Sequence, residues 1–190
     1  MIILKEISEM FRWFIFAFPG KSGQFFRVLW AKLFFARFAR GARLSSHTKI
    51  YGANFIVFDD YVSMDEYGFL SAHQANIHIG TQTKINRNVM INASDGGHIE
   101  IGQNCLIGPN VVVRSANHVY VDRSSPINQQ GHIGKTIIIE DDVWIGANVT
   151  ITAGVTIKKG SVIAAGAVVT KSFDEYSIIA GLPAKKIGSR

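Results

Sequence analysis

Ile139-Glu-Asp-Asp-Val-Trp-Ile145-Gly-Ala-Asn-Val-Thr-Ile151-Thr-Ala-Gly-Val-Thr-Ile157-Lys-Lys-Gly-Ser-Val-Ile163-Ala-Ala-Gly-Ala-Val-Val169 carries an aliphatic residue at every sixth position. A period of six suits neither the 3.6-residue turn of an α-helix nor the two-residue alternation of an isolated strand; it calls for a solenoid of short strands. Counted from its aliphatic residue, each unit is also apolar or small at its fifth place, at Val143, Val149, Val155, Ser161 and Ala167, so both places point inward. The fourth place reads Asp142, Asn148, Gly154, Gly160 and Gly166, residue types that tolerate positive φ and turn the chain at little steric cost. Each unit is a short strand and a corner.

The same grammar runs upstream in separate registers: Ile50, Ile56 and Val62; Ile79, Ile85 and Ile91; Ile101, Ile107 and Val113. Phase slips between them mark residues pushed out at corners. The largest separates Val113 from Ile139, so a loop over about 115–136 leaves the coil there, and loops of that length are usually functional or disordered. The single cysteine, Cys105, falls on an inward fifth place and reads as a small core residue; one cysteine excludes an intrachain disulfide.

The 190 residues divide into a helical extension, 1–45, and a repeat domain, 46–190, with a short C-terminal tail. The extension holds eight basic residues and two acids, which accounts for the whole net charge of +6, and nine of the 13 phenylalanines. Lys5, Glu6, Glu9 and Arg12 fall on one stripe of a first helix whose other faces are apolar and which Pro19 and Gly20 end. A second helix is expected over about Ser22 to Arg40, with basic residues around much of its circumference. The extension's longest uncharged run, Trp13 to Gly20, is far short of the ~20 residues of a membrane span, which argues against a transmembrane helix or signal peptide there. Two readings stay open: packing on the solenoid's open end or a neighbouring subunit, and contact with the headgroup region of a membrane.

The segments Ile101-Gly-Gln-Asn-Cys-Leu-Ile-Gly-Pro-Asn110, Ala116-Asn-His118, Asp142-Val-Trp-Ile-Gly146, Ile163-Ala-Ala-Gly-Ala-Val-Val-Thr-Lys171 and Ala180-Gly-Leu-Pro-Ala-Lys185 resemble, in order, the hexapeptide-repeat acyltransferases. The branch of the sugar and polysaccharide O-acetyltransferases, with the maltose and galactoside enzymes as relatives, is the nearest in pattern. The likeness covers about 77–187 and weakens upstream. It implies a mainly β fold, a left-handed parallel β-helix of triangular section with an N-terminal α-helical extension. It also implies a homotrimer with active sites between subunits, and acetyl-CoA as the acyl donor with no metal.

The implied reaction moves an acyl group directly from a thioester to a sugar hydroxyl, an acceptor too weakly acidic to attack unaided. His118 stands where the repeat breaks, and an imidazole, with a pKa of about 6.5, can take that proton as attack proceeds. The resemblance makes His118 the general base, Gly108 the source of an oxyanion-facing amide and Asn92 an acceptor ligand. Asn88 competes for the last role, but it is a fourth-place corner residue. Asp95 and Asp122 are weaker candidates for orienting His118. For the donor, an outward Trp144 offers a surface for the pantetheine arm. Gly146, Ala165 and Gly166 allow close approach of its amides. Thr170, Lys171 and Lys185, with Lys186 as a substitute for the last, match phosphate-binding positions.

The N-terminal segment that contributes acceptor contacts in the maltose and galactoside enzymes is not recognisable here, which favours a surface glycan or its lipid-linked precursor over a free sugar. The setting expected is cytoplasmic, with peripheral contact of residues 1–45 at the inner membrane face. N-acetylation of an amino-sugar nucleotide is the main alternative. A carbonic-anhydrase-type hydratase is remote, because His73 and His78 have suitable spacing but His118 does not complete the set; a non-catalytic trimeric scaffold is equally remote. Nucleic-acid binding is disfavoured, since the repeat region has no net charge and no recognised motif.

Overall fold

The computed structural model describes residues 2–190, with side chains for Glu6 and from Glu9 onward; Lys5 of the expected charged stripe lies outside those side chains. The chain winds around three parallel faces. The first holds Arg37–Phe38, Ile56–Phe58, Ile77–Ile79, Ile99–Ile101, Ile137–Ile139 and Thr156–Ile157. The second holds Arg43–Leu44, Ser63–Met64, Lys84–Ile85, Leu106–Ile107, Trp144–Ile145 and Val162–Ile163, then Ser177–Gly181 and the antiparallel Ala184–Ser189. The third holds Lys49–Tyr51, Phe69–His73, Met90–Ser94, Val112–Arg114, Thr150–Ile151 and Val168–Val169. One strand from each face makes a turn of the prism, and six turns are complete.

Register bears out the six-residue grammar in the C-terminal half. Ile139 pairs with Ile157, Ile145 with Ile163 and Ile151 with Val169, each partner three units on. First and fifth places are buried, while Asp142, Asn148, Gly154, Gly160 and Gly166 all have positive φ, from 57° to 83°. Each fully buried Ile or Val contributes roughly 1.5–3 kcal/mol of transfer free energy. Cys105 is in this core; its thiol donates to the Glu140 carbonyl at 3.1 Å, and burial pushes its pKa up.

The upstream register is corrected. The residues stacked under Ile79, Ile85 and Ile91 are Phe58, Met64 and Leu70, and beneath those lie Phe38, Leu44 and Ile50. Ile56 and Val62, expected in the repeat's first place, are buried at other places of the unit. Phe38, Phe58 and Met64 take first places in the early turns, so the aliphatic spacing there follows the wrong row. In the corrected register every surplus residue falls at one corner, between the third and first faces. The steps Ile50 to Phe58, Leu70 to Ile79, Ile91 to Ile101 and Val113 to Ile139 exceed six by two, three, four and twenty residues. Protrusions therefore pile along a single edge.

Helix α1 (Ile2–Ala17) and helix α2 (Gly20–Phe34) cover the first turn. The second helix stops short of the expected Arg40 because Phe35 adopts extended backbone and places its ring against Phe38 and Phe58 in the coil. Arg37–Phe38 and Arg43–Leu44 already belong to the prism. Arg27 fixes the helices to it: Nε donates to the Leu44 carbonyl at 2.9 Å, and Nη1 donates to Phe18 at 2.7 Å and Ile15 at 3.3 Å. One buried guanidinium thus satisfies the carbonyls that end α1 and the rim of the coil, although burial lowers its pKa.

Candidate active site

The long corner is a structured ribbon. Ala116–His118 runs antiparallel to His132–Gly134, with His118 opposite His132, and a single 3-10 turn, Ile127–Gln129, lies toward its far end. Both histidines are exposed, and their ring centroids are 4.1 Å apart at 43°. His118 is therefore held on one side by another imidazole and open on the other.

The root of the ribbon is fastened by Ser115, which is fully buried. Its hydroxyl donates to the Gly97 carbonyl at 2.6 Å and accepts from the Ser94 N–H at 3.1 Å. Its own N–H donates to Asn92, and its carbonyl accepts from Lys135 at 2.8 Å. The strands cross the preceding corner so closely that a Cβ on Gly134 would lie 2.3 Å from the Asp95 carbonyl and 2.5 Å from the Gly97 nitrogen. Ser115, Gly134 and His132 are contributors that the spacing of the repeat did not reveal; the available signal was a small residue on each side of the break.

Asn92 lies on the third face in register with Arg114, one turn before the ribbon, and its carbonyl anchors Ser115. It shares the edge with His118. Asn88, with φ 55°, begins a corner ladder in which its amide donates to Asn110 and that of Asn110 donates to Asn148, each at 2.9 Å. Asp122 is also occupied. Ser124 and Ser125 donate to its carboxylate, and the Ser124 hydrogen bonds hold it below the usual carboxylate range.

Gly108 is elsewhere, at the corner between second and third faces, and its N–H donates to Ile145 at 2.8 Å. The amide expected to face an oxyanion is thus committed to the coil. A Cβ there would meet Gly146 and Ala147 backbone at 2.8 Å, so close stacking of turns alone accounts for the glycine. Trp144 projects from the second face, exposed between Leu106 and Val162. Gly146 follows on the same edge, where a Cβ would approach the Ala165 nitrogen to 2.6 Å, and Ala165 and Gly166 are exposed beside it. Thr170 is exposed after the last third-face strand. Beyond it a groove of about 610 Å³ gathers Lys171, Lys185, Lys186 and Lys158, with Phe173 and Asp174. Lys158 is paired with Glu140 at 2.8 Å; the other three lysines face no carboxylate within salt-bridge distance among the described residues.

His118 and Trp144 consequently lie on different sides of one prism. The structure joins Lys171 with Lys185, and Gly146 with Ala165 on the edge that follows Trp144, while the His118 ribbon leaves from the corner between the third and first faces. His73 and His78 do not converge either: they sit on different faces, and His78 Nε2 meets Asp59 at 2.9 Å. Among the described residues no cluster of three His, Cys, Asp or Glu forms.

The family described as the hexapeptide repeat of succinyl-transferase matches residues 98–115 and 136–171, the coil on either side of the ribbon. A hexapeptide-repeat acetyltransferase of Vibrio cholerae, solved with acetyl coenzyme A, superposes with a TM-score of 0.68 at 29% identity over 96% of this chain and 85% of that one. The chain is similar in repeat and in fold to the hexapeptide-repeat acetyltransferases. Galactoside O-acetyltransferase of Lactococcus lactis is 36% identical over 109 residues, 57% of this chain and 50% of that protein. A mutant N-acyltransferase of Bacillus cereus, solved with dTDP and coenzyme A, has a TM-score of 0.77 at 22% identity, covering 92% and 90% of the two chains, and shares the left-handed β-helix fold. This hexapeptide-repeat chain spans about half the length of the curated relatives it matches, 43% to 59%.

Proposed function

We propose that the protein is an acetyl-CoA-dependent O-acetyltransferase acting on a sugar hydroxyl of a surface glycan or its lipid-linked precursor, at the cytoplasmic side of the membrane. The observation that carries this reading is the exposed His118 ring, held at the root of a ribbon by Ser115 and backed by His132. His118 takes the acceptor proton as the hydroxyl oxygen attacks the thioester carbonyl. The carbon–sulfur bond breaks, and the proton passes to the departing coenzyme A thiolate. Asn92, on the same edge, orients the acceptor.

The separation of His118 from Trp144 supports a homotrimer, in which the ribbon of one subunit reaches the Trp144 edge of the next. Trp144, Gly146, Ala165 and Gly166 then line the pantetheine arm, while Thr170, Lys171 and Lys185 receive the phosphates. An oxyanion role for Gly108 requires its amide to be shared with Ile145. N-acetylation of an amino-sugar nucleotide uses the same donor and a different acceptor. Turnover of acetyl-CoA against free sugars, lipid-linked glycans and amino-sugar nucleotides, with the product identified as ester or amide, tests the reading. An amide product, or full activity in His118→Ala, overturns it.

A further inference from the structure

Helix α2 is amphipathic the wrong way round. It buries Gly23, Arg27 and Ala31 and leaves large apolar side chains outside, with Phe25 64% and Leu33 71% exposed. At the 3.6-residue pitch, Phe25, Phe26, Leu29 and Leu33 form one outward stripe, and Lys21 and Lys32 run along one flank of it. The neighbouring helix continues the surface with exposed Phe11 and Phe14, joined to it by Phe18, whose ring meets that of Phe26 edge-on at 6.4 Å. Contiguous exposed apolar surface on this scale marks an interaction site.

We propose that this helical face docks on an anionic lipid surface. The charge fits. Helix α2 carries no acid and presents Lys21 and Lys32 beside the apolar stripe, so pairing the face with a second copy would bring like charges together, whereas anionic headgroups neutralise them. The residue types fit as well, since rings and lysines side by side match the boundary between acyl chains and headgroups. The helices have 16 and 15 residues, and no helix among the described residues is long and apolar enough to cross a bilayer, so the mode is lying on the surface. The inward face is already spent on the coil through Arg27, which fixes the outward orientation. The proposal rests on this surface and is independent of the acetyl-transfer reading.

Co-sedimentation of the full chain with phosphatidylglycerol-containing vesicles, beside pure phosphatidylcholine vesicles, reads the interaction without any turnover. Binding to the anionic vesicles that weakens with salt is expected. Lys21→Gln and Lys32→Gln should each reduce partitioning about fivefold, and Phe25→Ser and Leu33→Ser each about tenfold or more. None of these changes touches the buried face, so thermal unfolding midpoints should stay close to that of the unaltered chain. No binding to anionic vesicles at low salt overturns the proposal, as does binding indifferent to Phe25→Ser and Leu33→Ser. Dissociation of an oligomer by those two substitutions, in a protein that ignores vesicles, assigns the face to a second copy instead and overturns it too.

Discussion

His118 and His132 face one another across two antiparallel strands with ring centroids 4.1 Å apart. The proposed base is therefore positioned by a side chain that arrives from the returning strand of the same excursion. His118→Ala should lower acetyl transfer by about 10²–10⁴ with an unchanged thermal midpoint, because the ring is exposed. His132→Ala should lower kcat about tenfold through loss of orientation, whereas His132→Phe, which keeps an aromatic neighbour, should recover most of it. Steady-state kinetics on the purified variants check both.

Gly134→Ala should displace the ribbon. The added methyl meets three backbone atoms within 2.5 Å, none of which can rotate aside. A loss of roughly 1–3 kcal/mol in urea unfolding is expected, together with a fall in kcat larger than the stability loss explains.

Lys171→Ala and Lys185→Ala should each raise KM for acetyl-CoA about tenfold with little change in kcat, since removal of an exposed cation weakens phosphate binding without touching the reacting carbonyl. The difference should shrink as ionic strength rises. Titration of acetyl-CoA at two salt concentrations decides it.

Glu140 accepts from Lys158 Nζ at 2.8 Å and from the Lys159 N–H at 2.9 Å, and these bonds hold its carboxyl below the usual range. With a folded value below the unfolded one, its stabilising contribution is complete above the ordinary carboxylate pKa of about 4.3 and disappears as pH falls through the folded value. Glu140→Gln should lower the thermal midpoint at pH 7, and the gap to the unaltered protein should close progressively in acid. A gap that persists or widens on acidification contradicts the pairing.

The repeat was legible from Ile139 onward because each turn there is three regular units, and inward places are aliphatic or small. Between Ile50 and Val62 it is masked, because Phe58 and Met64 occupy first places while Ile56 and Val62 offer aliphatic spacing in another row. The limits of the ribbon were legible as a break in phase. Its internal order was not, since pairing of Ala116–His118 with His132–Gly134 depends on a non-local hydrogen-bond ladder. Ser115 was hidden for a related reason: its value lies in three segments that meet only after coiling. Trp144 and His118 each carried a signal, yet sequence order does not say that they stand on different sides of the prism.

The hydrogen bond from the Lys135 N–H to the Ser115 carbonyl, at 2.8 Å, closes the ribbon's two ends onto each other. The prism continues across that junction as though the intervening residues were a detachable cassette. Such an architecture lets the ribbon be exchanged or resized while folding stays with the coil; under the proposed function, acceptor preference could then change without renegotiating the stability of the scaffold.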